Sequence, residues 1–332
     1  MAARKPTIRT VAADAQVSVS AVSKVLRNAY GVSDSLHARV TASIERLGYR
    51  PRTAARGMRG RTYTVGVLLV ELSNPFLPGV VNAIGKTLET ANYKPLLAVG
   101  QGRERLESSV MESMIDMSMD GLILVAPSLS GDMLADFSRQ IPLVAVGHHD
   151  PGATAFDTVN GDDRAGGALA TRTLLERGYR RVEMLTLPRN DTEAHNAQSR
   201  REAGHRDAMR DAGLDARVIR MGSAVGPLPS ELAAFLDRAD RPEAVFCWSD
   251  LHAVALINAA RTRGVRVPED LAIVGYDDSP VAALPLIDLD SVDQDGPGLG
   301  ALAASTILSR LEGRSEAAHH IVTPRYMARS SC

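Results

Sequence analysis

The chain of 332 residues is 45% hydrophobic with a mean hydropathy of −0.07, and it has no apolar run of about 20 residues that could span a bilayer. Its 38 Lys and Arg and 39 Asp and Glu residues give a net charge of −1, so the total charge indicates no partner. Cys247 and Cys332 are too few for a disulfide framework, and the basic N-terminus lacks the apolar core of a secretory signal. We therefore expect a cytoplasmic protein.

The charge is divided unevenly along the chain. Residues 1–62 hold 12 of the basic residues but only three acidic ones, for a net charge of +9, which leaves −10 for the remainder. Such asymmetry indicates two functions, the basic segment facing a polyanion. A solvated or lipid-binding segment is the alternative. These charges lie within capped, apolar-patterned helices, which favours nucleic acid.

The segment Thr7–Leu26 predicts two short helices joined by a tight turn. Thr7 and Ser18 stand at the two helix starts, where a hydroxyl accepts a hydrogen bond from an otherwise unpaired amide. On a helical wheel the outward side of the second helix consists of Ser20, Ser23 and Lys24, with Val19 on the flank. We expect this side to enter a DNA groove, the alternative being an ordinary solvated face.

Apolar residues predict how these helices pack. The inner side of the second helix consists of Val22, Val25 and Leu26. We expect it to contact the first helix and a third helix through Val11, Ala12, Val40, Ile44 and Leu47.

After Arg61, apolar strands alternate with amphipathic helices. The predicted strands are Val65–Val70, Leu96–Val99, Leu122–Ala126, Leu143–Val146, Val182–Leu187, Ala244–Cys247 and Leu271–Val274. The predicted helices are Val80–Ala91, Arg105–Met119, Arg164–Arg177 and His252–Arg263. Strands buried on both faces and linked by helices predict doubly wound parallel sheets. About 270 residues exceed one such core, so we expect two lobes.

The segments that follow the strands nominate a pocket, because a doubly wound sheet binds its ligand at the carboxyl ends of its strands. They carry aromatic, amide and charged residues: Ser73–Phe76, Gly147–Asp150, Trp248–Asp250 and Tyr276–Asp278. Such a mixture suits a polyol or sugar. Two alternatives stay open. Asp250 could cap a helix that begins at Leu251, and Phe246 could be plain core.

Metal binding and catalysis find little support. His148, His149 and Asp150 have ligand side chains, but adjacent histidines on a strand end point apart and no partner cluster is evident. Gly296–Gly300 lacks the nucleotide-binding spacing, and the chain has no Walker loop, nucleophile elbow or metalloprotease signature. We predict no catalytic residue, metal or cofactor. A cytoplasmic solute-binding protein, and then a doubly wound α/β enzyme, are the alternatives to a DNA-binding regulator.

Nearly the whole chain resembles the lactose/galactose-repressor (LacI/GalR) family of bacterial transcription regulators. The stretches that carry the resemblance are Val17–Leu26, Ile44–Pro51, Val65–Leu68, Leu72–Phe76, Asp120–Leu124, Leu175–Tyr179, Ala244–Cys247 and Val274–Asp277. Two positions depart from the family pattern. Gln16 stands where the turn usually has glycine, and Ala21 replaces a common threonine of the recognition helix.

The resemblance implies an N-terminal all-α helix-turn-helix headpiece at residues 1–50, a hinge helix or linker at 51–62, and an α/β two-lobed periplasmic-binding-protein-like core at 63–332. In the family the hinge helix pairs with its dimer mate in the minor groove, where a leucine wedges between base steps; Met58 occupies that place here. A flexible basic linker is the alternative. The predicted DNA-binding residues are Thr7, Ser18, Val19, Ser20, Ser23, Lys24, Arg27, Asn28, Ala55 and Met58.

The resemblance also implies an effector cleft between the lobes. Arg201 and Asp277 are the contacts it indicates most directly, and His148 lies where the family varies with its ligand. The predicted effector-binding residues are Asn74, Phe76, His148, Arg201, Phe246, Trp248, Ser249 and Asp277. The expected protein is a homodimeric repressor that binds a pseudo-palindromic double-stranded operator, responds to a sugar or sugar acid, and has no membrane partner.

Overall fold

The structure is a computed structural model that describes residues 6–26, 30–49, 60–188, 196–222 and 229–332. It divides into two compact units at the bond between Thr62 and Tyr63. No helix within the described ranges is long and apolar enough to cross a membrane. The predicted DNA-binding residues that lie outside these ranges are Arg27, Asn28, Ala55 and Met58.

The N-terminal unit contains three helices in its described part: α1 (Ile8–Asp14), α2 (Val19–Leu26) and α3 (Asp34–Leu47). Thr7 accepts a hydrogen bond from the amide of Thr10, and the Ser18 hydroxyl accepts one from the amide of Ala21 at 3.1 Å, as predicted. The predicted apolar set forms one small core. Its fully buried members are Val11, Ala12, Val22, Val25 and Val40, and its half-buried members include Leu26, Ile44 and Leu47.

The turn between α1 and α2 contains Gln16 with φ of +53°, in the left-handed region that favours glycine. A non-glycine residue there costs about 1 kcal/mol. The amide of Val17 still donates to the carbonyl of Ala12 at 2.9 Å. The departure from the family glycine therefore strains the turn but does not open it.

The second unit is built from parallel β-sheets and flanking helices. In chain order its elements are β1 (Thr64–Leu69), α4 (Leu77–Thr90), β2 (Lys94–Val99), α5 (Glu104–Asp116), β3 (Gly121–Val125), α6 (Gly131–Ser138), β4 (Leu143–Val146), β5 (Asp157–Gly161), α7 (Asp163–Glu176), β6 (Val182–Thr186), α8 (Ala197–Asp211), β7 (Arg217–Arg220), α9 (Pro229–Leu236), β8 (Ala244–Cys247), α10 (Asp250–Thr262), β9 (Ala272–Val274), β10 (Ser291–Asp293), α11 (Gly296–Leu311), β11 (His319–Val322) and β12 (Arg325–Met327).

These elements form two lobes. In the first, parallel strands pair in the order β11-β5-β4-β3-β1-β2, and in the second the order is β7-β6-β8-β9. Apolar residues are buried on both faces of each sheet. The chain passes between the lobes after β5, after β10 and after β11, and β10 pairs with β12 beside these crossings. The predicted fold class is confirmed.

The exceptions to the predicted pattern have physical causes. Strand β2 is an edge strand, so the side chains of Leu96 and Leu97 are 45% and 55% exposed rather than buried. Helix α8 was not predicted, because its mostly polar sequence has no apolar stripe; it buries glycine, histidine and charged side chains instead. The cap expected of Asp250 is wrong. Helix α10 begins at Asp250, whose carboxylate instead accepts hydrogen bonds from the Ser279 amide and the Ser291 hydroxyl, each at 2.6 Å.

Candidate DNA-reading surface and effector cleft

The outward face of α2 is polar and carries no acidic residue. Ser18, Ser20 and Lys24 are exposed, and Val19 is half-buried on the flank where it was predicted. Ser23, which was predicted on the outward side, is also half-buried. The hydroxyls of Ser18 and Ser20 lie 2.8 Å apart. This face can donate hydrogen bonds to phosphates or base edges without like-charge repulsion from the helix itself. Thr7 is also exposed, at the start of α1.

A polar clamp holds α1 against α3. The Ser43 side chain, fully buried, donates to Asp14 at 2.5 Å, and Arg46 forms an ion pair with the same carboxylate. The hydrogen bonds from Ser43 and Arg46 hold the pKa of Asp14 below its ordinary value. The clamp joins the helices on either side of α2.

In the second unit, Arg201 on α8 is the centre of a buried polar network. Only 3% of the residue is exposed, and its guanidinium carbon lies 3.6 Å from the ring centre of Tyr276 and 4.4 Å from that of Trp248. Its Nε donates to Asp163 at 2.7 Å, and its Nη1 donates to the carbonyl of Trp248 at 2.9 Å. Burial alone would lower the pKa of Arg201, but the charge of Asp163 raises it. The guanidinium therefore stays charged.

Asp163 connects groups from both lobes. Its second oxygen accepts a hydrogen bond from Nε2 of His149, which follows β4 in the first lobe, at 2.7 Å. Burial would raise the pKa of Asp163, but the charge of Arg201 and the hydrogen bond from His149 hold it below its ordinary value. Removing charges from water is costly, and further hydrogen bonds offset that cost; here His149 donates to Asp163 and Arg201 donates to the carbonyl of Trp248.

Asp277, at the carboxyl end of β9, makes a second contact across the cleft. It accepts hydrogen bonds from Asn74, after β1 of the other lobe, at 3.3 Å and from Gln294 at 2.7 Å, and it lies 3.7 Å from Arg201. Its φ of +108° is strained, and such strain is typical of ligand clamps. Burial raises the pKa of this carboxyl, although Arg201 opposes the change. The predicted residues Asn74, Arg201 and Asp277 are thus brought together.

The other predicted cleft residues are placed less uniformly. Trp248 is half-buried beside Arg201, and Phe76 is half-buried at the start of α4. His148 is 6% exposed, with its ring centre 5.9 Å from that of Phe156. Ser249 is buried and bonds His252 at 2.9 Å. Phe246 is fully buried in the core of the second lobe against Tyr276, which is the alternative that the sequence left open.

Sequence reasoning missed two members of the network, Asp163 and Gln294. It nominated His149 and Tyr276 only as parts of the segments that follow the strands, without a role for either side chain. A signal for Asp163 was available, because two acidic residues stand directly before the predicted helix Arg164–Arg177. Strand β5, which precedes them, was not predicted, so they were not placed at the end of a strand. No group of three metal-ligating side chains occurs in the part of the chain that the structure describes.

Comparisons with known proteins agree with this arrangement. Residues 7–52 match the model described as bacterial regulatory proteins, lacI family, and residues 171–332 match the periplasmic binding protein-like domain. The ribose operon repressor of Haemophilus influenzae is 28% identical, and the transcriptional repressor PurR of Photobacterium profundum is 27% identical, each alignment covering 93% of both chains. The chain belongs to the LacI family. Its fold superposes on that of a solved transcriptional regulator, the CelR–cellobiose complex, with a TM-score of 0.70 and 29% identity, covering 98% of this chain and 100% of that one.

Membership in the LacI family decides between the functional alternatives. The family consists of DNA-binding transcriptional regulators, so the chain is a regulator rather than an enzyme. The N-terminal unit is the family's helix-turn-helix domain, and the two-lobed unit is its effector-binding domain. The alternative of a solute-binding protein does not account for the helix-turn-helix unit.

Proposed function

We propose that this regulator is a cytoplasmic, homodimeric repressor that binds a pseudo-palindromic operator. Binding of a small carbohydrate-like molecule in the cleft lowers or raises its affinity for that operator. The relatives named as ribose operon repressor and the structure named as a cellobiose complex support a sugar. In this proposal residues 1–50 read DNA, residues 51–62 form the hinge, and residues 63–332 bind effector and dimer mate.

The observation that carries DNA reading is the exposed Ser18, Ser20 and Lys24 face on a capped helix in a segment of net charge +9. In the proposal Lys24 contacts guanine or a phosphate, and the serines and Val19 contact base edges. The hinge residues Ala55 and Met58 approach the minor groove, as the family resemblance implies.

The observation that carries effector binding is that Asn74 and Asp277, on opposite lobes, meet beside the aromatic-flanked Arg201. A ligand with several hydroxyls can replace these hydrogen bonds, and its differential affinity for open and closed lobes would shift their equilibrium. A coupling of about 1–3 kcal/mol suffices.

The exposed Leu96 and Leu97 of edge strand β2 support the homodimer, since association would cover both the apolar surface and the unpaired strand edge.

In vitro selection from random DNA duplexes tests the proposal. The full-length protein should enrich a pseudo-palindrome, and Lys24→Ala should weaken binding to it by roughly 5- to 150-fold, the value of one base contact at 1–3 kcal/mol. Fluorescence anisotropy measures the affinity. Arg139→Ala, which removes one positive charge from the exposed surface of the first lobe, is the matched control and should change little. Equal losses in both variants, or enrichment of no sequence, would refute the proposed reading face.

A further inference from the structure

The second lobe buries more carboxyl groups beside the cleft than it has cations to pair with them. Asp163, Asp250 and Asp277 are 1%, 1% and 4% exposed, and Arg201 is the only arginine that is buried among the described residues. Removing a carboxylate from water is costly unless a cation or several hydrogen bonds replace the water. The partners of each carboxyl group therefore decide which of them can stay ionised.

Arg201 pairs with Asp163 rather than with Asp277. Its Nε donates to Asp163 at 2.7 Å and its Nη1 donates to the carbonyl of Trp248 at 2.9 Å. The distance from Nη1 to the nearer oxygen of Asp277 is 3.7 Å, which is too long for a hydrogen bond. Asp163 also accepts from His149. Asp163 thus has the charged partner in direct contact, and Asp277 receives only its weaker attraction across a gap.

The hydrogen-bond donors that reach Asp277 are uncharged amides. Nδ2 of Asn74, in the first lobe, donates to one oxygen at 3.3 Å, and Nε2 of Gln294 donates to the other at 2.7 Å. A carboxylate oxygen has two lone pairs, so either oxygen can accept from its amide and still carry a proton. Asp277 can therefore keep this arrangement in both its ionised and its protonated form.

Asp250 has no positively charged donor among its described partners. Its carboxyl group accepts from the Ser279 amide and the Ser291 hydroxyl, each at 2.6 Å. Its own amide donates to the carbonyl of Tyr276, the residue before Asp277, at 2.7 Å. Because the two carboxyl groups lie on neighbouring segments in a buried environment, the negative charge of one disfavours ionisation of the other.

The other titratable groups on the segments around Asp277 have partners of their own. They are Asp278 (with Arg329), Asp293 (with Arg325), Asp295 (with the Gly298 amide), Glu71 (with Ser73) and the Tyr276 hydroxyl (with Asp163). Burial raises the pKa of Asp250 to about 6 and that of Asp277 to about 7, the latter against the attraction of Arg201. The charge count and these pKa values agree that the two carboxyl groups hold a proton close to neutral pH.

We propose that Asp277 is a proton-dependent switch between the lobes, whose ionised form binds Asn74 of the first lobe more strongly than its protonated form does. A carboxylate is a stronger acceptor than a protonated carboxyl group, so loss of the proton strengthens the hydrogen bond across the cleft. By linkage, contact between the lobes and loss of the proton favour each other. Only the further step, from lobe contact to operator affinity, rests on the proposed function.

The fluorescence of Trp248 in the full-length protein without ligand, titrated from about pH 5.5 to about pH 8.5, tests the switch. The indole lies 4.4 Å from the guanidinium carbon of Arg201, which faces Asp277, so its emission should change with a midpoint near pH 7. Asp277→Asn keeps the shape of the side chain without its charge and should abolish the transition. Asp215→Asn, at an exposed position between α8 and β7, is the matched control and should keep the wild-type midpoint.

Asn74→Ala tests whether the proton is coupled to the contact between the lobes. It should raise the midpoint by roughly 0.5 to 1 pH unit, the value of one hydrogen bond, because the ionised form loses its donor from the first lobe. An unshifted midpoint, or a flat wild-type profile, would overturn the switch. So would a transition that persists in Asp277→Asn and disappears in His149→Gln, since His149 would then be the titrating group.

Circular dichroism shows whether each variant is folded, and the Asn74→Ala midpoint decides the matter if Asp277→Asn is not. The titration uses neither operator nor sugar. Its failure would therefore leave the proposed function intact, and a failure to select an operator would leave the switch intact.

Discussion

At the scale of single residues, the chain places its one tryptophan, Trp248, against Arg201 in the cleft. Arg201 itself is a poor site for mutation. Its removal would leave Asp163 buried without its counter-charge, which costs about 3–5 kcal/mol of stability and would obscure any effect on the ligand. Asn74 is better, because it is half-buried and uncharged; its side chain donates to Asp277 at 3.3 Å and accepts from the amide of Phe76 at 3.0 Å.

We therefore expect that a ligand in the cleft changes the fluorescence of Trp248. Asn74→Ala should weaken the affinity measured from this change by about 2- to 12-fold, since a hydrogen bond between the Asn74 amide and a ligand hydroxyl contributes 0.5–1.5 kcal/mol. Titration with ribose, cellobiose and a purine base measures it. Asn82→Ala, an exposed asparagine on the nearby helix α4, should respond as the wild type does. A response that Asn74→Ala leaves unaltered would remove Asn74 from the cleft.

At the scale of elements, glycines let the helices of the second unit pack backbone to backbone. A Cβ on Gly204 of α8 would lie 2.0 Å from the carbonyl oxygen of Arg164, and one on Gly167 of α7 would lie 2.2 Å from that of Arg201. The α7–α8 contact therefore positions Arg201 and Asp163 relative to each other. By contrast, a Cβ on Gly85 of α4 would meet only Pro95, at 3.9 Å.

Two glycine-to-alanine changes should consequently have opposite signs. Gly204→Ala should lower the free energy of unfolding by about 1–3 kcal/mol, because the helices must separate. Gly85→Ala should raise it by about 0.5–1 kcal/mol, because alanine favours the helix and nothing blocks it. Urea denaturation measures both values. Equal effects of the two variants would contradict the close approach of α7 and α8.

At the scale of the whole molecule, stability against acid depends on buried histidines. Burial lowers the pKa of His205, on α8, to about 4, and that of His252, on α10, also to about 4. An unfolded histidine titrates near 6.5. Between these two pH values the histidine is protonated in the unfolded chain but neutral in the folded chain. The stability contributed by neutral His205 is therefore complete above pH 6.5 and is lost as the pH falls towards 4.

Replacing His205 with asparagine should flatten this pH dependence by about 1.4 kcal/mol per pH unit between pH 6.5 and 4, since the amide can keep the hydrogen bond to Thr171 without titrating. Urea denaturation at several pH values measures the slope. Asn82→Ala, which changes no titratable group on the exposed surface of α4, is the control and should keep the wild-type slope. Parallel profiles for wild type and His205→Asn would show that His205 does not titrate in this way.

The accuracy of the sequence-based prediction differed from one strand or helix to the next. Strands β4 and β8 were predicted with their observed bounds, because a continuous apolar run buried on both faces has one simple interpretation. Strand β5 and helix α8 were missed, since Asp157–Gly161 is largely polar and α8 has almost no apolar periodicity. These elements can be buried because ion pairs pair their charged side chains and close helix contacts cover their backbone. No local pattern encodes such partners.

The sequence by itself determined the helix-turn-helix unit, the two-lobed α/β class and the strand ends that carry Asn74 and Asp277, because caps, apolar periodicity and strand–helix alternation are local signals. Only the tertiary structure decided that Asp163 and His149 join Arg201 and that Phe246 lies in the core. Those facts depend on which residues distant in the chain meet when the lobes pack.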